Sequence, residues 1–260
     1  MHTPTILSLL LAATTTSAQN RPPVRPPFPN ITDLPTRYGL VLFPQFQALD
    51  VFGPMDVLNT IDMHFSNYTN MNLTILAKTL DPVTTARQGP QGTIGRFGES
   101  IVPTTTFSDY LARNSSADGI EVLLVPGGLG TRRDVTEEIN FVRAVYPNLR
   151  YILSVCTGAT VLARAGVLDG RRATTNKAEW VAATAMGPNT TWVPRARWVE
   201  DGNVWSSSGV SAGIDAMLAW VTRVYGEDVA WYTALDMEYR RNTDPNNDPF
   251  GPLWGIPGTE

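Results

Sequence analysis

The chain carries a single cysteine. The stretch YILSVCTGAT, residues 151–160, sets Cys156 directly after a run of apolar β-formers and directly before a segment that reads as a helix. A sharp strand-to-helix turn at such a place exposes a nucleophile, and the helix N-terminus favours its thiolate. Gly158, two residues on, permits the close backbone approach such a turn needs. The competing reading is a small residue inside the core, where free cysteines commonly lie. The nucleophilic reading expects an ionised sulfur that small molecules can reach, touched by a carboxyl group.

Candidate partners are few. If a leader is removed with His2, only His64 remains, in IDMHFSNYT, which reads as a helix end followed by a loop; His64 is expected at the surface, which leaves a Cys/His dyad weakly supported. One cysteine and one histidine provide no usual zinc cluster, so no metal is expected. Asp50, in FPQFQALDVFGP, lies just past the first apolar strand and would emerge at the same sheet edge as Cys156 if that strand is central. Aspartate at such a place is often a helix cap, but Gly53 and Pro54 suggest a later helix start. An ionised Asp50 would raise the thiol pKa, whereas a neutral one could donate a hydrogen bond to a thiolate, so a coupled pair is expected. In VPGGLG, residues 125–130, the N–H groups of Gly128 and Leu129 could line an anion pocket, or the segment could be a plain turn. Phe43, Phe46 and Phe52 are candidates for an apolar substrate wall or for ordinary core.

The elements that must position these residues alternate. Short apolar strands are expected at 37–43, 71–80, 101–107, 121–125 and 151–155, with a glycine-rich turn or hairpin at 89–98. Helices are expected at 54–61, 136–145, 157–168, 211–225 and 227–240, and a hairpin at 198–208 turning at Asp201-Gly202. Strands with wholly apolar centres alternating with helices imply an α/β fold with a mostly parallel central sheet and helices on both faces. In open sheets of this kind ligands bind beyond the carboxyl ends of the strands, where Cys156 would sit.

The organisation read from composition is a leader at 1–18, a Pro-rich extended linker at 19–36, one domain at 37–240 and an irregular tail at 241–260. The apolar stretch from Ile6 to Ala13, with Thr16 and Ala18 ahead of Gln19, suggests a secretory signal peptide. Sequons at Asn30, Asn67, Asn72, Asn114 and Asn189 fit passage through a glycosylating pathway. A secreted glycoprotein is therefore expected. A net charge of -4 without a basic cluster argues against a nucleic-acid partner, and no stretch is long and apolar enough to expect a membrane span.

Taken together, LFPQFQALDVFGPMDVL, LLVPGGLGT, SVCTGATVLARAGVLDGRRATT and SSGVSAGIDAMLAWV resemble the ThiJ/PfpI superfamily, most closely its isocyanide (isonitrile) hydratase branch. The resemblance covers most of residues 37–240 and implies a flavodoxin-like sandwich, a homodimer, a small-molecule substrate and no cofactor. It casts Cys156 as nucleophile and Asp50 as its acidic partner, with Thr157 helping to hold substrate and Gly128 and Leu129 as oxyanion donors. Relatives that act as proteases, glyoxalases or deglycases place a histidine where this chain has Thr157 or Asn176. The activity implied is hydration of a small isocyanide to an N-formamide. The alternatives are another cysteine-dependent tailoring or aldehyde-detoxifying enzyme, or a non-enzymatic ligand-binding or redox-responsive protein. An appended helix-turn-helix region is not found in the sequence.

Overall fold

Strands buried on both faces need an apolar residue at nearly every position, and RYGLV, VLLV and YILS meet that condition. The computed structural model describes residues 22–89, 93–113 and 119–259. In chain order, β1 (Arg37–Val41) leads into α1 (Ala48–Thr69) and β2 (Asn72–Ala77). A small ribbon, β3 (Val83–Thr84) with β4 (Ser100–Ile101), precedes β5 (Thr105–Thr106) and α2 (Phe107–Ala112). Next come β6 (Val122–Val125), α3 (Thr136–Val145), β7 (Tyr151–Ser154) and α4 (Gly158–Arg164). A second ribbon, β8 (Arg172–Ala173) with β9 (Thr191–Trp192), flanks α5 (Trp180–Thr184). The hairpin of β10 (Trp198–Asp201) and β11 (Val204–Ser207) is followed by α6 (Ala212–Tyr225), α7 (Glu227–Asp236) and α8 (Phe250–Leu253).

Seven strands form one sheet in the order β10-β11-β7-β6-β1-β2-β5, parallel throughout except for the hairpin. Helices α1, α6 and α7 pack together, as do α2, α3 and α4, giving two helical layers around the sheet. The chain runs outward from β1 to β2 and β5, then returns to the other side of β1 with β6 and β7. This reversal opens a crevice at the carboxyl ends of β1, β6 and β7, and Leu40, Leu124 and Leu153 stand in register across it.

Besides the short α2, α5 and β8–β9, which the sequence reading does not place, three segments differ from it. The first helix begins at Ala48 rather than at Pro54, so Asp50 lies in its first turn. Pro54 removes one hydrogen bond inside the helix, and burial of Val51, Val57, Leu58 and Ile61 in the core offsets that loss. Residues 22–36 have no regular secondary structure yet lie against the body: Phe28 stacks on Tyr68 with ring centroids 4.9 Å apart, and Arg150 Nη1 pairs with Asp33 at 3.1 Å. The C-terminal stretch forms α8 and buries Asp248, Ile256 and Thr259. In both terminal segments the partners are distant in sequence, so composition alone reads as loose chain. The expected leader at 1–18 lies outside the described residues.

Candidate active site

The chain makes a tight left-handed turn at Cys156, with φ at 58° in a residue other than glycine. Such a conformation costs about 1–2 kcal/mol, so the surroundings must hold it. Cys156 N–H donates to the Ser208 carbonyl at 3.1 Å, and Thr175 Oγ1 donates to the Cys156 carbonyl at 2.9 Å. Glycine is required at 158, because a Cβ there would lie 2.3 Å from the Val125 carbonyl oxygen. The turn therefore fits tightly against the end of β6 as α4 begins.

Asp50 arrives from the other side of β6 and is fully buried. Gly127 N–H donates to Asp50 Oδ2 at 2.8 Å, while Gln47 N–H donates to the Gly127 carbonyl at 2.8 Å. This two-way clasp needs glycine at 127, where a Cβ would meet Thr157 N at 2.5 Å and Asp50 Oδ2 at 2.9 Å. The other carboxyl oxygen, Oδ1, has no hydrogen bond of regular geometry; what faces the carboxyl is the Cys156 thiol. Burial pushes Asp50 up to about 7, against the Gly127 N–H and the thiol, which favour the ionised form.

Burial, and then the Asp50 charge, push the Cys156 thiol up to about 12. The expectation of a sulfur held ionised and open to solvent is therefore corrected. Cys156 is 5% exposed and keeps its proton at neutral pH, because desolvation outweighs the donors around it. Those donors are the N–H groups of Val210 and Thr157 and the Asn176 amide, all of which favour a thiolate. Asn176 Nδ2 stands 3.1 Å from Sγ, and its Oδ1 accepts the Glu179 N–H at 2.9 Å, which fixes the orientation of the amide. The sequence marked Asn176 only as the place of a missing histidine, although an amide there supplies a donor at any pH. Val210, at φ 25° despite its β-branch, carries no local signal in the sequence.

The remaining expected residues divide between the site and the fold. Gly128 donates its N–H to Thr157 Oγ1 at 3.0 Å, so that donor serves the loop. The Thr157 hydroxyl is also bound to Thr131 Oγ1 at 3.1 Å; its backbone N–H is the part that meets the sulfur. Leu129 begins a short 3-10 turn and is half exposed. Phe43 and Phe46 are buried in the core, and Phe52 is exposed on α1. His64 is joined to Asp236 at 3.0 Å, outside the site. A pocket of about 250 Å³ adjoins the elbow, lined by Asn176, Ser208 and Val210, which border Cys156 or its partners, and by Leu49, Phe250 and Trp254. No group of three or more His, Cys, Asp or Glu among the described residues is arranged to hold a metal ion. No helix among the described residues is long and apolar enough to cross a membrane.

Comparison with known proteins gives this geometry a context. The DJ-1/PfpI family model matches residues 37–223. Over 204 residues the chain is 35% identical to an isonitrile hydratase from Pseudomonas putida, covering 77% of each. It is 31% identical over 152 residues to the HTH-type transcriptional regulator GbdR of Pseudomonas aeruginosa, covering 57% of this chain and 40% of that one. A crystal structure of a ThiJ/PfpI family protein from Pseudomonas syringae superposes with a TM-score of 0.63 at 26% identity, over 86% of this chain and 84% of the other.

These relatives correct the expected compartment. They are bacterial proteins, an isonitrile hydratase and transcriptional regulators among them, and they give no support to a secreted glycoprotein with a signal peptide. The leader motif lacks a basic residue ahead of its apolar run, and short Asn-x-Thr triplets recur by chance in a chain rich in Asn and Thr. Asn30, Asn67, Asn72 and Asn189 are exposed, but exposure alone does not make a glycosylation site; Asn114 lies outside the described residues. The fold is a flavodoxin-like α/β sandwich, and the chain belongs to the DJ-1/PfpI family.

Proposed function

We propose that the protein is an isocyanide hydratase-like hydro-lyase that converts a small isocyanide to an N-substituted formamide through a thioimidate on Cys156. One observation carries this reading: a buried carboxyl at about 7 faces a thiol at about 12 on a strained elbow, beside a small pocket. The 35% identity to an isonitrile hydratase supports it.

The chemistry suits a protonated thiol. Hydration begins by adding sulfur and hydrogen to the same terminal carbon of the isocyanide, so the thiol proton is a reactant. At neutral pH and above, ionised Asp50 takes that proton as Sγ attacks the carbon, then delivers it to the carbon as the thioimidate forms. The Val210 and Thr157 N–H groups and the Asn176 amide stabilise charge on sulfur during the transfer. Water then adds to the thioimidate carbon, and collapse expels the thiol with its proton and leaves the formamide. No step calls for a metal or organic cofactor. The high thiol pKa disfavours a peroxide-sensing role, because oxidation runs through the thiolate.

Purified protein mixed with cyclohexyl isocyanide is expected to yield N-cyclohexylformamide, and Cys156→Ala is expected not to. Equal turnover by the variant ends the covalent mechanism. Turnover of methylglyoxal in place of the isocyanide favours an aldehyde-directed member of the family. The family resemblance also carries a homodimer, which light scattering on the purified protein checks.

A further inference from the structure

The C-terminal stretch carries aromatic side chains that the core does not use. Phe250 is 44% exposed and Trp254 59%, yet the backbone bearing them is firmly anchored. The Pro245 carbonyl accepts the Arg197 N–H at 2.7 Å, and Phe250 N–H donates to Asp248 Oδ1 at 3.1 Å. Asp248 Oδ2 lies 3.4 Å from Lys177 Nζ, with both side chains almost wholly shielded from solvent. Lys177 Nζ also donates to Thr174 Oγ1 and to the Ala196 carbonyl, each at 2.8 Å. A buried ion pair is a costly anchor unless its remaining hydrogen bonds are made, and on the lysine side they are.

This anchor is next in sequence to the amide that touches sulfur. Lys177 follows Asn176, whose Nδ2 is 3.1 Å from Sγ. The same stretch that binds the tail therefore places the donor, and one pocket is lined by Asn176 together with Phe250 and Trp254. Its volume of about 250 Å³ is below the roughly 300–1,000 Å³ of drug-sized sites. Leu49 adds to the apolar lining. A lining that is almost wholly apolar, bordering the amide that touches sulfur, suits a compact hydrocarbon body carried next to the reactive terminus.

We infer that Phe250 and Trp254, held by the Lys177–Asp248 ion pair, form the wall that selects the substrate's substituent, so that the site takes isocyanides bearing a ring or branched hydrocarbon over methyl-sized or charged ones. This rests on the proposed function for the reactive group, and on the pocket alone for the substituent. Phe250 and Trp254 are specificity residues; Asp248 is a positioning residue acting through Lys177.

The test separates the two. Calorimetric titration of the full chain with N-cyclohexylformamide and with N-methylformamide measures the wall whether or not turnover occurs. The cyclohexyl compound is expected to bind more tightly, and Trp254→Ala is expected to weaken it about tenfold, as for loss of a few apolar contacts, with little change for the methyl compound. Asp248→Asn is expected to move the same preference in the same direction. In kinetics, the ratio of kcat/KM for cyclohexyl over methyl isocyanide is expected to fall about tenfold in Trp254→Ala. Phe250→Leu and thermal melts of every variant guard against misfolding. Undiminished discrimination in folded Trp254→Ala and Phe250→Leu, or no preference in the parent, overturns the inference. Discrimination in binding without isocyanide turnover leaves the wall standing and overturns the proposed reaction.

Discussion

Two carboxylates, Asp50 and Asp215, sit in equivalent places and are partnered in opposite ways. Both lie in the first turn of a helix, α1 and α6, and both are almost completely buried. Asp215 is saturated: Arg197 Nε donates to Oδ2 at 2.6 Å, while Tyr239 Oη and Asn242 N–H donate to Oδ1 at 3.1 and 2.8 Å. Asp50 has the Gly127 N–H on one oxygen and a thiol against the carboxyl. Since burial and helix end are shared, the partners make the difference. A carboxylate with its lone pairs filled is a rivet, whereas one left short of donors keeps its affinity for a proton.

The sharpest way to break this comparison is at the sulfur. Cys156→Ala is expected to reduce formamide production to the uncatalysed background in a coupled chromatographic assay. Asp50→Asn is expected to lower kcat by about 10²–10⁴-fold, the span of general acid–base catalysis, and to leave the protein better folded. The sign follows from its raised folded pKa: the native state binds more protons than the unfolded chain, so Asp50 costs stability as pH rises from about 4 through about 7. Asparagine removes that cost, and urea melts at pH 8 are expected to gain up to about 4 kcal/mol. The same carboxyl predicts a kcat/KM that climbs about tenfold per pH unit below about 7 and then levels. A flat profile would show that Asp50 moves no proton.

Asp215→Ala is expected to behave in the opposite sense, with a loss of about 3–5 kcal/mol in denaturant unfolding because Arg197 is left buried without its counter-charge. Stability unchanged in that variant would erase the distinction between the two acids. The smallest effect belongs to Asn176→Ala. Loss of one hydrogen bond to a charged sulfur is worth about 1.5–3 kcal/mol, so kcat is expected to fall about 10–100-fold without a shift in the apparent pKa of the ascending limb.

What the sequence made legible follows the range of the interactions involved. The strands VLLV and YILS, the hairpin at 198–208 and the cysteine at a strand end are written in neighbouring residues, and the structure has them where the pattern puts them, with the hairpin turn one residue later than expected, at Gly202-Asn203. The start of α1 is not legible locally, because Pro54 breaks a helix in the pattern while the burial that overrides it comes from elements packed against it. The charge state of Cys156 is hidden for a similar reason: a helix end is visible in sequence, but the desolvation that defeats it depends on three-dimensional packing. Asn176, Val210 and the aromatic pair in the tail reach the sulfur or its pocket only through folding, from segments whose composition reads as turns and irregular chain.

The clasp at Gly127 has a consequence for how the protein acquires its chemistry. Acid and thiol come from chain segments far apart, and the backbone amide that clasps the acid belongs to the loop leaving β6, the strand lying between. No local fragment holds all three, so an early collapsed species, however helical, is catalytically silent. During refolding, recovery of the proposed turnover is expected to lag behind the far-ultraviolet signal and to coincide with zipping of the three central strands. The proposed activity would thus serve as a stopwatch for topology.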